Sequence, residues 1–265
     1  MRQPIRLMLI TLSIAAAFLG ASSAPRAEDA EIAQRRASVR KSFTDAEIID
    51  GFFKTAIGAE FNIAGSTDRI RKYVDPIRVY IKSEAKPDRS KQIEGVVKDI
   101  AGKVRGLDIA LTDDEDDANV IVTLVRDRDM NKNIARLYGR KRAKEIERNL
   151  DPQCLSGFGK DEKYQIQHSE VLIAADTSNF IFYDCAYEEL LQSIGPINDT
   201  DSNAFTMFND DVQMGFFDVF DQYILNILYH PLVKPGMTAD EVRAVLPQVL
   251  PDVRAFVTKT NSLPD

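Results

Sequence analysis

Residues 185–199 of the chain read Cys185-Ala-Tyr-Glu188-Glu189-Leu-Leu-Gln192-Ser-Ile-Gly195-Pro-Ile-Asn198-Asp199. Apolar residues recur at helical intervals along one side of this region, at Phe182, Ala186, Leu190 and Ile194. This spacing predicts a helix over residues 179–194, ended by the Gly-Pro pair. The same helix carries a polar face, which consists of Glu188, Glu189 and Gln192. Burying polar groups without partners is costly, so the polar face is predicted to line a cleft or to join a buried hydrogen-bond network.

Counted from Glu188, the spacing of this stretch is similar to the zinc signature of the metzincin proteases, H-E-x-x-H-x-x-G-x-x-H. In that signature two residues four apart on a helix reach one metal, and the glycine turns the chain toward a third ligand. The glutamate of the signature activates water. Here Glu188, Gln192 and Asn198 stand at the three ligand positions, and Glu189 stands at the position of the general base.

The ligand chemistry of the signature is replaced in this chain. Both histidines of the helix are absent, and the chain's two histidines, His168 and His230, lie outside the motif. Amide oxygens such as those of Gln192 and Asn198 are poor ligands for zinc. They are acceptable to hard cations, but this set of ligands would hold calcium only weakly. The sequence therefore predicts no tightly bound catalytic zinc and no cofactor, and it disfavours proteolysis by the metzincin mechanism.

Hydrophobic periodicity predicts the order of the elements along the chain. Helices are predicted over residues 44–57, 90–104, 133–150, 179–194 and 217–228, and from residue 238 to just before Pro247. Strands are predicted over residues 76–82, 107–111, 119–125 and 164–174, with a loop over residues 151–163. This order predicts an α/β (α+β) domain with a mixed sheet, packed helices and C-terminal helices. It also resembles a metzincin-type sheet followed by its active-site helix.

The first 27 residues have the pattern of a secretory signal peptide, with Arg2 and Arg6 before an apolar run and small residues after it. Cleavage is predicted between residues 22 and 27, which gives a periplasmic or secreted protein. Residues 28–43 are highly charged and are predicted to form a flexible N-terminal arm. Residues 44–265 are predicted to form a single domain, without a transmembrane segment in the mature chain.

The net charge of the chain indicates which classes of partner it can bind. The formal net charge is −7, and it becomes more negative when the arginines of the leader are removed, so nucleic acid is excluded as a partner.

The only cysteines are Cys154 and Cys185, which in an exported chain most simply form a disulfide. The alternative, a nucleophilic Cys185, has no histidine near it in sequence.

Two charge runs have both a functional and an ordinary interpretation. The carboxylates of residues 112–117 lack the glycine and the ligand spacing of a calcium loop, so a solvated turn is favoured. The basic helix over residues 133–150 could contact an acidic partner or an anionic polymer, although a solvated helix face is the more ordinary explanation.

Five segments of the chain together resemble one family of secreted proteobacterial proteins, domain of unknown function 2927. They are Phe43-Thr-Asp-Ala-Glu-Ile-Ile, Tyr73-Val-Asp-Pro-Ile-Arg-Val, Cys185-Ala-Tyr-Glu-Glu-Leu-Leu-Gln-Ser-Ile-Gly, Asn198-Asp-Thr-Asp and Leu228-Tyr-His-Pro-Leu-Val-Lys-Pro-Gly-Met. The resemblance covers residues 43–246 and implies an exported protein. It implies no substrate, and the chain lacks the lipidation cysteine of the lipoprotein members.

Two hypotheses about function follow. In the first, the chain is a non-catalytic envelope protein whose cleft, formed by Glu188, Glu189, Gln192, Asn198 and Asp199, binds a peptide, a glycan or a loop of an envelope protein. Within this hypothesis, the polar groups alternatively serve only to link the helix to the loop that follows it. In the second hypothesis, the chain is a hydrolase of peptide or cell-wall material, with Glu189 as the catalytic carboxylate.

Overall fold

The computed structural model describes residues 29–57, 68–149, 152–196, 198–209 and 211–264. This part of the chain contains the strands β1 (Ile77–Ser83), β2 (Ile109–Leu111), β3 (Val120–Val125), β4 (Cys154–Lys160) and β5 (Ile166–Ala174). Its α-helices are α1 (Ala30–Ser38), α2 (Asp45–Ala56), α3 (Ser90–Lys103), α4 (Met130–Tyr138), α5 (Arg140–Asn149), α6 (Asn179–Gln192), α7 (Val219–Leu228) and α8 (Ala239–Asn261). The predicted leader lies outside the described residues, so the division of the chain into 1–27, 28–43 and 44–265 stays a prediction.

The strands form one mixed sheet in the order β2-β1-β3-β5-β4. Four strands are parallel, whereas β4 runs antiparallel to β5 at the edge of the sheet. The register places Val79 beside Val120 and Val122 beside Val171, so β-branched residues fill the centre. The predicted α/β class, with a mixed sheet, packed helices and C-terminal helices, is confirmed.

The two faces of the sheet belong to separate hydrophobic cores. Alternate residues of β3, such as Val122 and Leu124, join a large core that also contains apolar residues of α2, α3, α6, α7 and α8. Val125 and Leu172 point the other way and join a smaller core with residues of α4 and α5. Every residue of β3 is buried because both of its faces are covered by helices.

Capping boxes fix the starts of α2 and α8. At the start of α2 the Thr44 side chain accepts a hydrogen bond from the Glu47 backbone N–H, while the Glu47 side chain accepts from the Thr44 backbone. Thr238 and Glu241 make the same reciprocal pair at the start of α8. Each pair satisfies two backbone donors that a helix N-terminus otherwise leaves open, and thereby fixes where the helix begins.

The structure differs from the sequence prediction in the region between β3 and β5. Residues 151–163 were expected to form a loop, but Cys154–Lys160 is a strand paired with β5. Its glycines, Gly157 and Gly159, hide the alternation by which strands are recognised. The basic helix predicted over residues 133–150 is two helices, because Gly139, with φ of +80°, ends α4.

The last helix does not end before Pro247, as the sequence predicted. It continues to Asn261 with Pro247 and Pro251 inside it. Each proline removes a helical hydrogen bond and costs about 3 kcal/mol in a helix interior. Burial offsets this cost at about 1.5–3 kcal/mol for each apolar side chain. Five apolar side chains that flank or follow Pro247 are buried, namely Leu246, Val249, Leu250, Val253 and Val257.

The predicted N-terminal arm contains helix α1. Asp29 accepts a hydrogen bond from the Glu31 backbone N–H (3.0 Å), and Ile32 is buried in the large core. The Arg36 guanidinium lies 4.1 Å from the centroid of the Phe216 ring. Among the described residues, no helix is long and apolar enough to cross a membrane.

Candidate functional site

Helix α6 holds the polar face against the sheet. Its first turn is capped by Ser178, whose hydroxyl accepts a hydrogen bond from the Ile181 backbone N–H (3.2 Å). The predicted core side is buried at Phe182, Ala186, Leu190 and Ile194, each with at most 1% of its surface exposed. The helix packs on β4 and β5 of the sheet. The polar face therefore sits on a helix whose orientation is fixed by the hydrophobic core.

Gly195 turns the chain at the end of α6, where the sequence predicts that the Gly-Pro pair ends the helix. Its φ of +148° is a conformation that residues with side chains rarely adopt. A Cβ atom at this position would lie 2.6 Å from Leu228 Cδ2 and 2.7 Å from the Arg71 carbonyl oxygen. The backbone of the turn consequently packs directly on the segment that carries Arg71.

The predicted disulfide between Cys154 and Cys185 is confirmed, with Cα atoms 5.7 Å apart. Because residues 154–160 form a strand, the bond joins the edge strand β4 to the middle of α6. The sequence predicts a loop at Cys154, and the strand corrects this prediction. The bond thus fixes β4 beside the helix that carries the polar face.

The structure brings Gln192 and Asp199 together. Gln192 is 8% exposed, and its Nε2 donates a hydrogen bond to Asp199 Oδ1 at 2.7 Å. The Oε1 atom of Gln192 accepts from the Ser156 hydroxyl of β4 at 3.5 Å. One amide side chain therefore connects the helix, the following loop and the edge strand.

Asn198 is directed to another part of the molecule. Its Nδ2 donates to the Lys54 carbonyl oxygen at 2.6 Å, and its backbone N–H donates to the Thr55 carbonyl oxygen at 3.2 Å. These carbonyls belong to the last turn of α2, where helical partners are missing. Asn198 therefore ties the loop after α6 to the end of α2, while Asp199 holds it to Gln192.

Replacing Asn198 with alanine is expected to lower the free energy of unfolding by about 1 kcal/mol, because one hydrogen bond to a helix end is lost. Urea denaturation measures the change. Ser202→Ala, an exposed position in the same loop, is the control and should stay within about 0.5 kcal/mol of the unaltered protein. Equal stabilities for the two variants would show that Asn198 does not anchor the loop.

The two glutamates of the polar face differ in burial. Glu188 is half-buried, whereas Glu189 is 6% exposed. Burial raises the pKa of the Tyr138 phenol, and the charges of Glu189 and Glu170 raise it further. The Tyr138 hydroxyl therefore stays protonated beside two carboxylates, one from α6 and one from β5.

Four residues around the polar face were missed by sequence reasoning: Tyr138, Ser156, Gly157 and Glu170. A Cβ atom at Gly157 would lie 2.7 Å from the Tyr138 hydroxyl, so only glycine leaves room for the phenol over β4. Had residues 154–160 been recognised as a strand, a glycine inside it would have signalled this close approach. His168 Nε2 lies 2.8 Å from Glu170 Oε1, and this contact raises the pKa of His168.

The described part of the chain contains no group of three or more His, Cys, Asp or Glu side chains placed to hold a metal ion. Of the three positions that match zinc ligands in spacing, Gln192 and Asn198 use their amide nitrogens as donors to Asp199 and Lys54. A donor atom cannot ligate a metal, so these bonds leave only their amide oxygens for that role.

Fold and site together define a mixed α/β protein with a polar helix face beside a disulfide-linked edge strand. The chain belongs to the family described as Protein of unknown function (DUF2927), whose model matches residues 45–248. The resemblance in the five sequence segments is thereby confirmed. Searches of curated proteins and of solved structures find no match.

Proposed function

We propose that this protein is exported and binds an extended peptide between the polar face of α6 and the edge strand β4, without a catalytic zinc. The observation that carries the proposal is the contact of Gln192 with both Asp199 and Ser156. These contacts bring polar groups of α6, of the loop after α6 and of β4 together at the edge of the sheet. The protein is a binding protein with a metallopeptidase-like cleft rather than a metallopeptidase.

The edge strand offers the backbone groups that an extended peptide needs. Among the described strands, β4 pairs only with β5, so one row of its N–H and C=O groups has no strand partner. Such edges accept an additional strand, and main-chain hydrogen bonds then supply affinity. The disulfide from Cys154 to Cys185 holds this edge at a fixed distance from α6.

The charge of the cleft favours a basic peptide. Glu188 of α6 and Asp199 of the following loop are partly exposed and supply carboxylates, and the chain as a whole is acidic. Opposite charges on the two partners speed their encounter and fix the register of binding. Ser156 adds a hydroxyl on the strand side.

Burial of Glu189 supports binding rather than hydrolysis. A general base must come within hydrogen-bond reach of the proton that it removes, and Glu189 is only 6% exposed. The ligand chemistry supports binding without zinc, because two of the three positions that match zinc ligands in spacing carry amides, Gln192 and Asn198, whereas zinc prefers histidine, cysteine and carboxylate ligands.

The proposed exported location rests on the N-terminal sequence pattern and on the disulfide. Disulfides persist in the periplasm and outside the cell, whereas the cytosol keeps thiols reduced. A chain whose two cysteines are joined in one bond fits an oxidising compartment.

The proposal is tested by fluorescence polarisation with a labelled octapeptide of alternating lysine and threonine. We expect saturable binding that weakens about tenfold in Asp199→Asn, because one charged contact to the peptide is lost. Asp201→Asn makes the same charge change at an exposed position two residues away and should bind as the unaltered protein does. A glutamate–threonine octapeptide should not bind.

Mass spectrometry of the same samples separates binding from hydrolysis. The peptide should remain intact, and elemental analysis should find no stoichiometric zinc. If the unaltered protein cleaves the peptide and Glu189→Gln does not, the binding function is contradicted and the hydrolase hypothesis is supported. If Asp199→Asn and Asp201→Asn bind the lysine–threonine peptide equally well, Asp199 does not contact the peptide, and the proposed binding at the polar face of α6 is contradicted.

A further inference from the structure

The sheet has a topological switch point between β1 and β3. From β1 the chain crosses through α3 to β2 on one side, and from β3 it crosses through α4, α5 and β4 to β5 on the other side. The crossovers also lie on opposite faces, because α3 joins the large core and α4 and α5 join the small one. In open α/β sheets, ligands bind in the crevice at the carboxyl ends of the strands at such a point.

A cavity of about 460 Å³ lies at this crevice. Its lining includes Glu84, the residue after β1, and Val125, the last residue of β3. The remaining lining comes from the segment that follows β3, namely Arg126, Asp129, Lys132, Asn133 and Arg136. A cavity of this size accommodates a small molecule.

The cavity lies at the carboxyl ends of the central strands β1 and β3, whereas α6 ends near the amino end of β3. At the end of α6, the Ser193 carbonyl oxygen accepts a hydrogen bond from the Ser169 hydroxyl. Ser169 pairs with Val120, the first residue of β3, whereas the cavity is at Val125, the last residue of that strand. The end of α6 is therefore separated from the cavity by the length of β3.

The lining carries one net positive charge, since three of its side chains are cationic and two are carboxylates. Arg136 Nη1 lies 3.3 Å from Glu84 Oε1, and Arg126 Nη2 lies 2.7 Å from Asp129 Oδ2. Arginine has five N–H donors, so each guanidinium keeps donors beyond these contacts. For Lys132, no carboxylate of the described residues lies within 4.0 Å of its ammonium, so this charge is available to a ligand.

Asn133 supplies a fixed polar group. Its side chain is 7% exposed, and its Nδ2 donates to the Asp129 carbonyl oxygen at 3.0 Å. This bond orients the amide, and among the described residues no donor reaches its Oδ1. The small exposed part of Asn133 belongs to the cavity lining, where it can accept a hydrogen bond from a ligand.

We propose that the cavity at the carboxyl ends of β1 and β3 binds a small anion through Lys132, with Arg126 and Arg136 beside it. The ligand carries one carboxylate or one phosphate group, which matches the net positive charge of the lining. Of the three cationic residues, Arg136 belongs to the basic helix predicted over residues 133–150, whereas Arg126 and Lys132 precede it. It is independent of peptide binding at α6.

Two-dimensional NMR titrations of the whole protein with inorganic phosphate and with propionate, at constant ionic strength, test the proposal. We expect the backbone amides of Arg126, Lys132 and Asn133 to shift and saturate with at least one of them. Saturation with phosphate alone identifies a phosphate ligand, and saturation with propionate identifies a carboxylate. Lys132→Ala should weaken binding about tenfold, because a charge-assisted hydrogen bond is lost, and Lys132→Arg should restore it.

The matched control is Lys141→Ala, which removes one positive charge from an exposed position of α5 outside the cavity. Its affinity for either anion should equal that of the unaltered protein. The proposal is overturned if neither anion saturates, if the shifts spread along α5 as well, or if Lys132→Ala and Lys141→Ala weaken binding equally. Lys132 is exposed, so its replacement leaves the fold intact.

Discussion

Replacing Cys154 and Cys185 with serine is expected to lower the free energy of unfolding by about 3–4 kcal/mol. The bond closes a loop of 31 residues, and chain-entropy arguments assign a stabilisation of this size to such a loop. In the folded protein the bond also holds β4, an edge strand that pairs only with β5 among the described strands. Urea denaturation of the double variant and of the unaltered protein measures the difference.

A reducing agent provides the control for this prediction. It should destabilise the unaltered protein by the same amount and leave the double serine variant unchanged. Before reduction, thiol reagents should label neither cysteine. A difference below about 1 kcal/mol between oxidised and reduced protein would show that packing of β4 on β5, rather than the cross-link, fixes the edge strand.

Replacing Asp218 with asparagine is expected to stabilise the protein at neutral pH, by about 1–3 kcal/mol, which is the size of the penalty for an unfavourably buried polar group. Asp218 and Asp221 are 3% and 0% exposed at the start of α7. Asp218 Oδ1 accepts a hydrogen bond from the Asp221 backbone N–H at 3.0 Å. Asp221 in turn accepts from the Thr206 hydroxyl at 2.5 Å and from the Met207 backbone N–H at 3.0 Å. The pair thus holds the loop after α6 on α7.

The sign of the effect follows from the pKa values of the pair. Burial raises the pKa of Asp221 to about 6 and, with the neighbouring charge of Asp221, raises that of Asp218 well above its ordinary value of 3.8. A carboxyl group with a raised pKa in the folded state contributes stability below its unfolded pKa, and that contribution is lost as pH rises through the folded pKa. The unaltered protein should therefore lose stability from this pair between about pH 4 and pH 6, and further above.

Asparagine at position 218 retains the cap and removes the charge. Its oxygen accepts from the Asp221 N–H, and its amide nitrogen donates to the Asp221 carboxylate as a protonated Asp218 would. Denaturation of both proteins at pH 4.5 and pH 7.5 should show near-equal stabilities at the lower pH and a more stable variant at the higher one. Asp117→Asn, an exposed position between β2 and β3, should show no such difference. A variant that is less stable at pH 7.5 would contradict the prediction.

The sequence was most informative where one interaction between near neighbours decides the structure. The helices predicted to begin at residues 44 and 238 do begin within one residue of these positions, because each start is fixed by a contact between Thr44 or Thr238 and the glutamate three positions later. The core side of α6 followed from helical spacing alone. The disulfide followed from the presence of only two cysteines in a chain with a secretory leader pattern.

The errors arose where distant contacts override local preference. Strand β4 has weak strand character, and it exists because β5 pairs with it and Cys185 holds it. Helix α8 continues through Pro247 because its apolar side chains pack on the core formed by other elements. Neither β5 nor the core is visible in the local sequence of the segment that they stabilise.

For the candidate site, the sequence by itself determined which residues stand on the polar face of α6 and that Gly195 ends it, because helical period and backbone conformation are local properties. Tertiary structure alone decided that Gln192 meets Asp199 and Ser156 while Asn198 turns to α2. It also decided that the carboxyl ends of β1 and β3 enclose a cationic cavity. These contacts depend on the order of the strands in the sheet and on the direction of each crossover, which join residues far apart in the chain.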